Sequence, residues 1–355
     1  MAAGAEALIV PMPTLLTRLG ESQLRAAGKW RSRMNLLKQF LRAQPGANDY
    51  LVQLRQAIAQ FQPDLVHSNG IKTHLLSRLV VPAQLPLVWH LHDFYGLRPL
   101  SGWLLRRART RVRAGIAIAP AVARDAAQVL PGVPIRTVMN AVDLKRFCPG
   151  PGADLDALAG FPPAPVGTVR VGLIATYARW KGHQTFLDAA QLLAKSKPNL
   201  PVRWYIIGGP IYQTAAQFRE AELRSLAAER ALQESVAFVP FQKEPAGIYR
   251  GLDIVVHAST LPEPFGLTVA EAMACGRAVV VSAAGGAAEL FTAGHDALGV
   301  RPGDAAGIAA AIHQLVDNPA YREQLGQSAR ATAQARFDDA KYGEQLLEVY
   351  RNAIS

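Results

Sequence analysis

The stretch STLPEPFGLTVAEAMACGRAVVVSAAGGAAE, residues 259–289, decides how the rest of the chain is read. Immediately before it, Asp253-Ile-Val-Val-His-Ala258 is an apolar run followed by a Pro-flanked loop, which predicts a buried strand. Thr268 and Glu271 have capping-box spacing, predicting a helix that opens there and stops near Gly276. Ala278-Val-Val-Val-Ser282 predicts the next strand, and Gly285-Gly286 a turn. The unit is therefore strand, loop bearing Glu263, helix bearing Glu271, strand, Gly-Gly turn. In an open parallel sheet, ligands bind just beyond the carboxyl ends of the strands. The backbone N–H groups of Phe265, Gly266, Leu267 and Thr268 would offer a site for anionic phosphate at the helix start. Taken singly, Glu271 is equally a capping-box acid and Glu263 an exposed loop acid. Their combination points to a ligand site.

At 355 residues the chain exceeds one comfortable core, so two domains are expected. Half of its residues are hydrophobic, with no low-complexity tract, which indicates a folded globular protein. The longest uncharged apolar run, Ala114 to Ala123, falls far short of the ~20 residues that span a bilayer. The N-terminus MAAGAEALIVPMP has no basic region and does not resemble a signal peptide. Cys148 and Cys275 are too few for a disulfide framework or a zinc cluster. A cytoplasmic protein without a metal is expected. Residues 1–168 carry 20 Lys and Arg against 9 Asp and Glu, whereas 169–355 carry 18 of each. A one-sided basic surface implies an anionic partner, either a membrane surface, a lipid phosphate or nucleic acid.

Along the chain, Glu6–Val10 is the first strand candidate, and 21–44 combines basic and apolar residues as a basic amphipathic helix does. Strands are expected at 64–69, 86–92, 115–119 and 135–139, with helices at 48–61 and 121–130. Between them, 103–113 (WLLRRARTRVR) holds five arginines in eight positions. Pro149–Gly152 and Phe161–Pro165 are the linker candidates, dividing the chain into domains at 1–160 and 161–339, with a last helix over 340–354. Beyond the linkers, strands at 169–176, 202–207, 235–240, 253–258 and 278–282 alternate with helices at 184–195, 214–230, 304–317 and 319–336. Such alternation argues for parallel, doubly wound α/β sheets in both halves.

Glu263, seven residues, Glu271, then Gly285-Gly286-Ala-Ala-Glu289, resembles the donor-site signature of retaining glycosyltransferases of family 4. Asp64-Leu-Val-His-Ser-Asn69, Asn140-Ala-Val-Asp143, Phe147-Cys-Pro149, His295, Pro302-Gly-Asp304 and Arg336-Phe337 extend the resemblance over most of the chain. It implies the GT-B fold, two Rossmann-like α/β domains facing a cleft, with the last helix (340–355) crossing back to the first domain. It also implies a nucleotide-diphosphate sugar as co-substrate, no cofactor, and a glycan or lipid-linked acceptor in cell-surface polysaccharide assembly.

By this resemblance Glu271 holds the ribose hydroxyls, Glu263 sits against the donor sugar, and Lys181 binds the diphosphate. Arg179 stands two residues from Lys181, whereas the family's arginine lies several residues earlier, where this chain has Thr176. Cations and helix N-termini can stabilise a leaving phosphate without a metal. His92, before Asp93, matches the family's strand-end histidine, with His90 two residues back as the alternative assignment. Glu263, His92 and Lys181 are the catalytic candidates. Arg179, Lys181, Phe265, Gly266, Leu267, Thr268 and Glu271 are expected to bind the donor. His67, Asn69 and Asp93 are expected on the acceptor side. Retention by a carboxylate nucleophile and by same-face attack both remain open.

Family members open with an apolar strand, a Gly-rich loop and a long helix, none of which this sequence shows, so an incomplete first domain is expected. The leading expectation is a retaining, metal-independent, nucleotide-sugar-dependent glycosyltransferase, peripheral at the cytoplasmic membrane face and bound to anionic lipid. The alternatives are a catalytically weak or inactive GT-B relative that binds nucleotide sugar or glycan and, with no recognised module to support it, a nucleic-acid-binding protein.

Overall fold

The computed structural model describes residues 4–14, 31–211 and 215–355, with backbone alone over 31–45. Contacts divide the chain into two compact units, Met1–Val138 with Gln345–Ser355, and Met139–Glu344. The second unit is thus inserted into the first.

In the first unit the strands are β1 (Val66–Asn69), β2 (Leu87–Leu91), β3 (Val112–Ala117) and β4 (Ile135–Thr137). The helices are α1 (Arg31–Phe61), α2 (Ile71–Val80), α3 (Pro99–Ala108) and α4 (Pro120–Val129). All four strands are parallel and lie in chain order. Among the described residues this sheet therefore winds in one direction only, rather than doubly. β2 is buried along its whole length, as a central parallel strand must be. The register sets Asn69 beside His90, and His90 beside Ile116.

One expectation changes here. Glu6–Val10 is not a strand, and Leu8 and Ile9 lie exposed. A short apolar run does not persist as a strand without a hydrogen-bonded neighbour. The basic amphipathic helix expected over 21–44 lies outside the described residues, apart from helical backbone from Arg31 onward.

The second unit holds β5 (Val169–Ile174), β6 (Val202–Gly208), β7 (Val236–Pro240), β8 (Ile254–His257), β9 (Ala278–Ser282) and β10 (Leu298–Val300). Its helices are α5 (Leu155–Ala159), α6 (His183–Ser196), α7 (Glu220–Glu229), α8 (Ala246–Gly251), α9 (Leu267–Ala274), α10 (Ala305–Asp317) and α11 (Pro319–Arg336). A final helix, α12 (Asp339–Ile354), begins in this unit and ends in the first. The strand order β10-β9-β8-β5-β6-β7 is doubly wound and reverses between β5 and β8. Ligands bind at such a switch point. Val171, Leu173, Phe186, Trp204, Ile206, Phe238, Val256, Val280 and Ile312 belong to one continuous core. Each fully buried aliphatic side chain contributes about 1.5–3 kcal/mol.

The boundary between units falls at 138/139 rather than 160/161. The two Pro- and Gly-rich segments expected as linkers are packed parts of the second unit. Asp156, on α5, is buried, bonds Arg203 and Tyr205, and accepts from the N–H of Ala164. Arg250 binds the carbonyl of Cys148 at 2.8 Å, and Ala153 donates to the carbonyl of Gly247 at 2.8 Å.

Candidate active site

Lys181 and Glu263 meet at the carboxyl end of the second sheet. The turn holding Lys181 is brought there by Gly182, whose φ is 79° and whose place tolerates no side chain. A Cβ on it would lie 1.8 Å from the carbonyl oxygen of Ala258, at the end of β8. Thr260 ties its N–H to the carbonyl of Trp180 at 2.8 Å and closes the same junction. Glu263 is fixed from the other side by the Gly-Gly turn after β9. Its carbonyl accepts from Gly286 at 2.7 Å, and its N–H reaches Ala284 at 3.4 Å.

The Lys181 ammonium then lies 2.9 Å and 2.7 Å from the two carboxylate oxygens of Glu263. Ser259 Oγ donates to Oε2 at 3.0 Å, and His257 Nε2 stands 3.3 Å from the same oxygen. Burial alone would push this carboxyl up. The His257 hydrogen bond and the Lys181 charge outweigh it and hold Glu263 at about 2. Glu263 is thus an ionised, oriented carboxylate across the neutral range.

Glu271 does not cap its helix. The capping position is Gly266 with φ 98°, α9 starts at Leu267, and no side chain caps it. The left-handed glycine, rather than Thr268, turns the chain into the helix. The capping-box reading therefore fails, and Glu271 Oε2 instead accepts from the hydroxyl of the buried Tyr249 at 2.5 Å. Burial raises the Glu271 carboxyl, against Tyr249 and the Arg146 charge. Because α9 is uncapped, its first N–H groups remain unclaimed by any side chain, and they carry the partial positive end of the helix. Phe265 is buried and packs edge-on against Phe337, so its side chain supports the loop, while Leu267 is exposed.

Arg179 turns elsewhere. Its Nε donates to the carbonyl of Ala215 at 2.9 Å, its guanidinium covers the Phe218 ring at 4.2 Å, and Glu222 lies 3.7 Å away. A larger pocket of about 570 Å³, at the amino ends of β8 and β9, includes Arg277 and Arg330. Both hold backbone carbonyls there, of Leu252, Cys275, Phe147 and Ala274, which gives them a structural role.

In the first unit, Asn69, Lys72, Thr73, His92, Asp93, Tyr95 and Arg98 line a pocket of about 440 Å³ at the carboxyl ends of β1 and β2. Asp93 is paired with Arg98 at 2.6 Å. Asp125 shapes the loop that follows by accepting from the N–H groups of Tyr95 and Gly96 at 2.6 and 3.1 Å. His67, His90 and His92 form a row with ring centroids 5.1 and 4.2 Å apart. Burial lowers all three, His90 to about 3, so each is neutral at pH 7. His67 bonds the hydroxyl of Tyr350 at 2.5 Å and does not line the pocket.

Sequence reasoning missed His257, Ser259 and Tyr249. His257 and Ser259 lie in the quoted region, but an apolar strand gives no sign of which side chain turns to Glu263. Tyr249 lies 22 residues before Glu271, and only the fold brings the two together.

Residues 163–332 match the family described as Glycosyl transferases group 1, and residues 15–146 match Glycosyltransferase Family 4. The chain belongs to glycosyltransferase family 4. Its fold is GT-B, as in Anabaena Alr3699/HepE solved with UDP and glucose. That structure superposes with a TM-score of 0.73 at 26% identity, over 85% of this chain and 81% of the other. Sucrose-phosphate synthase from Thermosynechococcus elongatus has the same fold, with a TM-score of 0.73 at 24% identity over 85% and 76% of the two chains. Among curated relatives, the D-inositol 3-phosphate glycosyltransferase of Saccharomonospora viridis is 32% identical over 225 residues, 62% of this chain and 51% of the relative. That of Corynebacterium urealyticum is 30% identical over 61% of this chain and 51% of its own length. This family 4 chain thus spans about half the length of the curated relatives it matches.

Proposed function

We propose that this family 4 protein is a retaining glycosyltransferase that moves a sugar from a nucleotide-diphosphate sugar to a glycan or lipid-linked acceptor. The observation that carries this reading is the Lys181–Glu263 pair, 2.7 Å apart, in the same carboxyl-end loops as the uncapped start of α9. Breaking the bond to the leaving diphosphate builds negative charge on phosphate and positive charge at the anomeric carbon. Lys181 and the α9 N–H groups suit the first, and the ionised Glu263 suits the second. Arg179 reaches the same phosphate only by leaving Phe218 and Ala215. The positive charge comes from side chain and backbone, so the reading needs no metal ion.

Glu271 is assigned to the vicinal ribose hydroxyls, for which a carboxylate's two oxygens can accept charge-assisted bonds. His92 and the pocket around it are assigned to the acceptor side with Asn69 and Asp93, and neutral His92 serves there as a hydrogen-bond partner. Two structural neighbours hold UDP-glucose or UDP with glucose, which supports UDP as the first nucleotide to test. The relatives named for D-inositol 3-phosphate support a phosphate-bearing acceptor as the first acceptor to test.

The protein is further assigned to the cytoplasmic face of a membrane. Leu97, Leu100, Trp103 and Leu104 are exposed along and before α3, and Arg107 lies over the Trp103 ring at 4.1 Å. No helix among the described residues is long and apolar enough to cross a membrane. Of the five arginines in this stretch, Arg109 and Arg111 hold the backbone carbonyls of Pro131 and Val81. The lipid-facing charge therefore falls to Arg106, Arg107 and Arg113.

Calorimetric titration with UDP, GDP and ADP, followed by anomeric NMR of the product, tests the reading. Micromolar binding of one nucleotide with a product of unchanged anomeric configuration is expected. Binding without a glycosylated product would leave the inactive-relative reading in its place, and absence of binding to all three would overturn the nucleotide-sugar reading.

A further inference from the structure

Glu263 has two carboxylate oxygens in different surroundings. Oε2 meets three donors, Lys181 Nζ at 2.7 Å, Ser259 Oγ at 3.0 Å and His257 Nε2 at 3.3 Å. Among the described residues Oε1 meets Lys181 alone, at 2.9 Å. A carboxylate oxygen accepts through about two lone pairs, so Oε2 is filled and Oε1 is not.

His257 is the unusual member. It ends β8, it is 5% exposed, and Ser259 Oγ lies 3.1 Å from the same Nε2. Its Nδ1 is buried and has no hydrogen-bond partner among the described residues. The ionised carboxylate can only accept, so Nε2 carries a proton toward it. That edge is the side of the ring held by hydrogen bonds among the described residues.

We propose that His257 is a positioning residue for Glu263, fixing Oε2 together with Ser259 so that Oε1 is the oxygen presented to the donor sugar. The proposal rests on the reading of this loop as the nucleotide-sugar site. Lys181, Ser259 and His257 are the side chains that face the carboxylate. The 284–286 turn reaches its loop through backbone alone. His183, behind Lys181, is buried and neutral and adds no charge. Removing the His257 donor while Lys181 remains should raise the Glu263 carboxyl and let it rotate. A donor amide at the same place should prevent both.

The test compares His257→Leu and His257→Gln with the unaltered chain, by carbon-13 NMR titration of the Glu263 carboxyl and by the pH dependence of UDP-glucose turnover. His257→Leu should move the carboxyl titration, and the acid limb of turnover, upward by about one unit or more. It should also raise the KM for UDP-glucose more than it lowers kcat. His257→Gln should restore the titration. If His257→Leu folds poorly, His257→Asn, too short to reach Oε2, replaces it with the same expectation. An unmoved carboxyl titration in the Leu or Asn variant overturns the proposal, as does an equal shift in the Gln variant. The titration reads the proposal even if UDP-glucose is not turned over, so failure of the proposed activity is distinguishable from failure of the His257 role.

Discussion

Tyr249 gives its hydroxyl proton to Glu271 across 2.5 Å, from a ring with no exposure to solvent. This one bond converts a helix acid, raised by burial, into an oriented acceptor at the edge of the candidate site. Tyr249→Phe should leave Glu271 partly unpaired and cost about 1–3 kcal/mol of unfolding free energy. Urea unfolding measures that cost. Glu271→Ala leaves the buried Tyr249 hydroxyl without its acceptor, so it should cost a similar ~1–3 kcal/mol of unfolding free energy and, unlike Tyr249→Phe, should also remove the carboxylate that UDP binding needs.

Lys181→Met removes the one lysine or arginine that touches Glu263 among the described residues. Losing a hydrogen bond to a charged group typically costs ~1.5–3 kcal/mol, so UDP should bind roughly 10–100-fold more weakly. Unchanged UDP affinity in both Lys181→Met and Glu271→Ala would remove the donor-site assignment.

The Glu263 carboxyl is depressed from its ordinary 4.5 to about 2. Its contribution to stability is therefore present above 4.5 and disappears as pH falls from 4.5 through 2. At full size a shift of this kind is worth about 3 kcal/mol. Thermal melts at pH 7 and pH 3 should show a larger acid loss for the unaltered chain than for Glu263→Gln, which has no carboxylate to protonate. Equal acid losses would contradict the depressed carboxyl.

Gly182→Ala tests how the site is assembled. The added Cβ falls at 1.8 Å from the Ala258 carbonyl, on backbone whose φ of 79° disfavours any side chain. A loss of several kcal/mol, about 2–4, is expected. Lys181 should move away from Glu263 with it. Calorimetry for stability and UDP titration for the site should change together.

The α3 surface predicts lipid binding that needs anionic headgroups and fades as salt rises. Each basic residue near such a surface contributes about 1 kcal/mol. Flotation with vesicles of phosphatidylglycerol and phosphatidylcholine should fail for a Trp103→Ala, Arg106→Glu, Arg107→Glu variant. Equal binding of the unaltered chain to neutral vesicles would rule the surface out, and tight RNA binding without lipid binding would favour nucleic acid as its partner.

The α/β alternation was legible because β7 and β9 are unbroken apolar runs, as Ala278–Ser282 shows, and β5, β6 and β8 are largely apolar. β10 was not, since three residues centred on Gly299 carry no such signal. The pairing of Lys181 with Glu263 joins residues 82 apart, and the family pattern suggested both ends without the contact. Arg179 stands near Lys181 in sequence, yet its guanidinium covers Phe218 and bonds the carbonyl of Ala215, contacts that nearness in sequence does not show. Pro149–Gly152 had the composition of a linker. Its glycine is there for close packing, since a Cβ on Gly152 would lie 2.6 Å from the backbone of Gly251.

The final helix has a bearing on any exchange of parts between this protein and a relative. Its last residues, Gln345–Ser355, belong to the unit that opens the chain, where Tyr350 closes on His67 and Glu348 pairs with Arg136 at 2.6 Å. A transplant of the unit spanning Met139–Glu344 therefore needs two seams, one near 138 and one near 344. A premature stop codon at 345 should be felt in the unit encoded first, uncovering His67 more than 270 residues upstream while leaving the encoded neighbours of the stop intact.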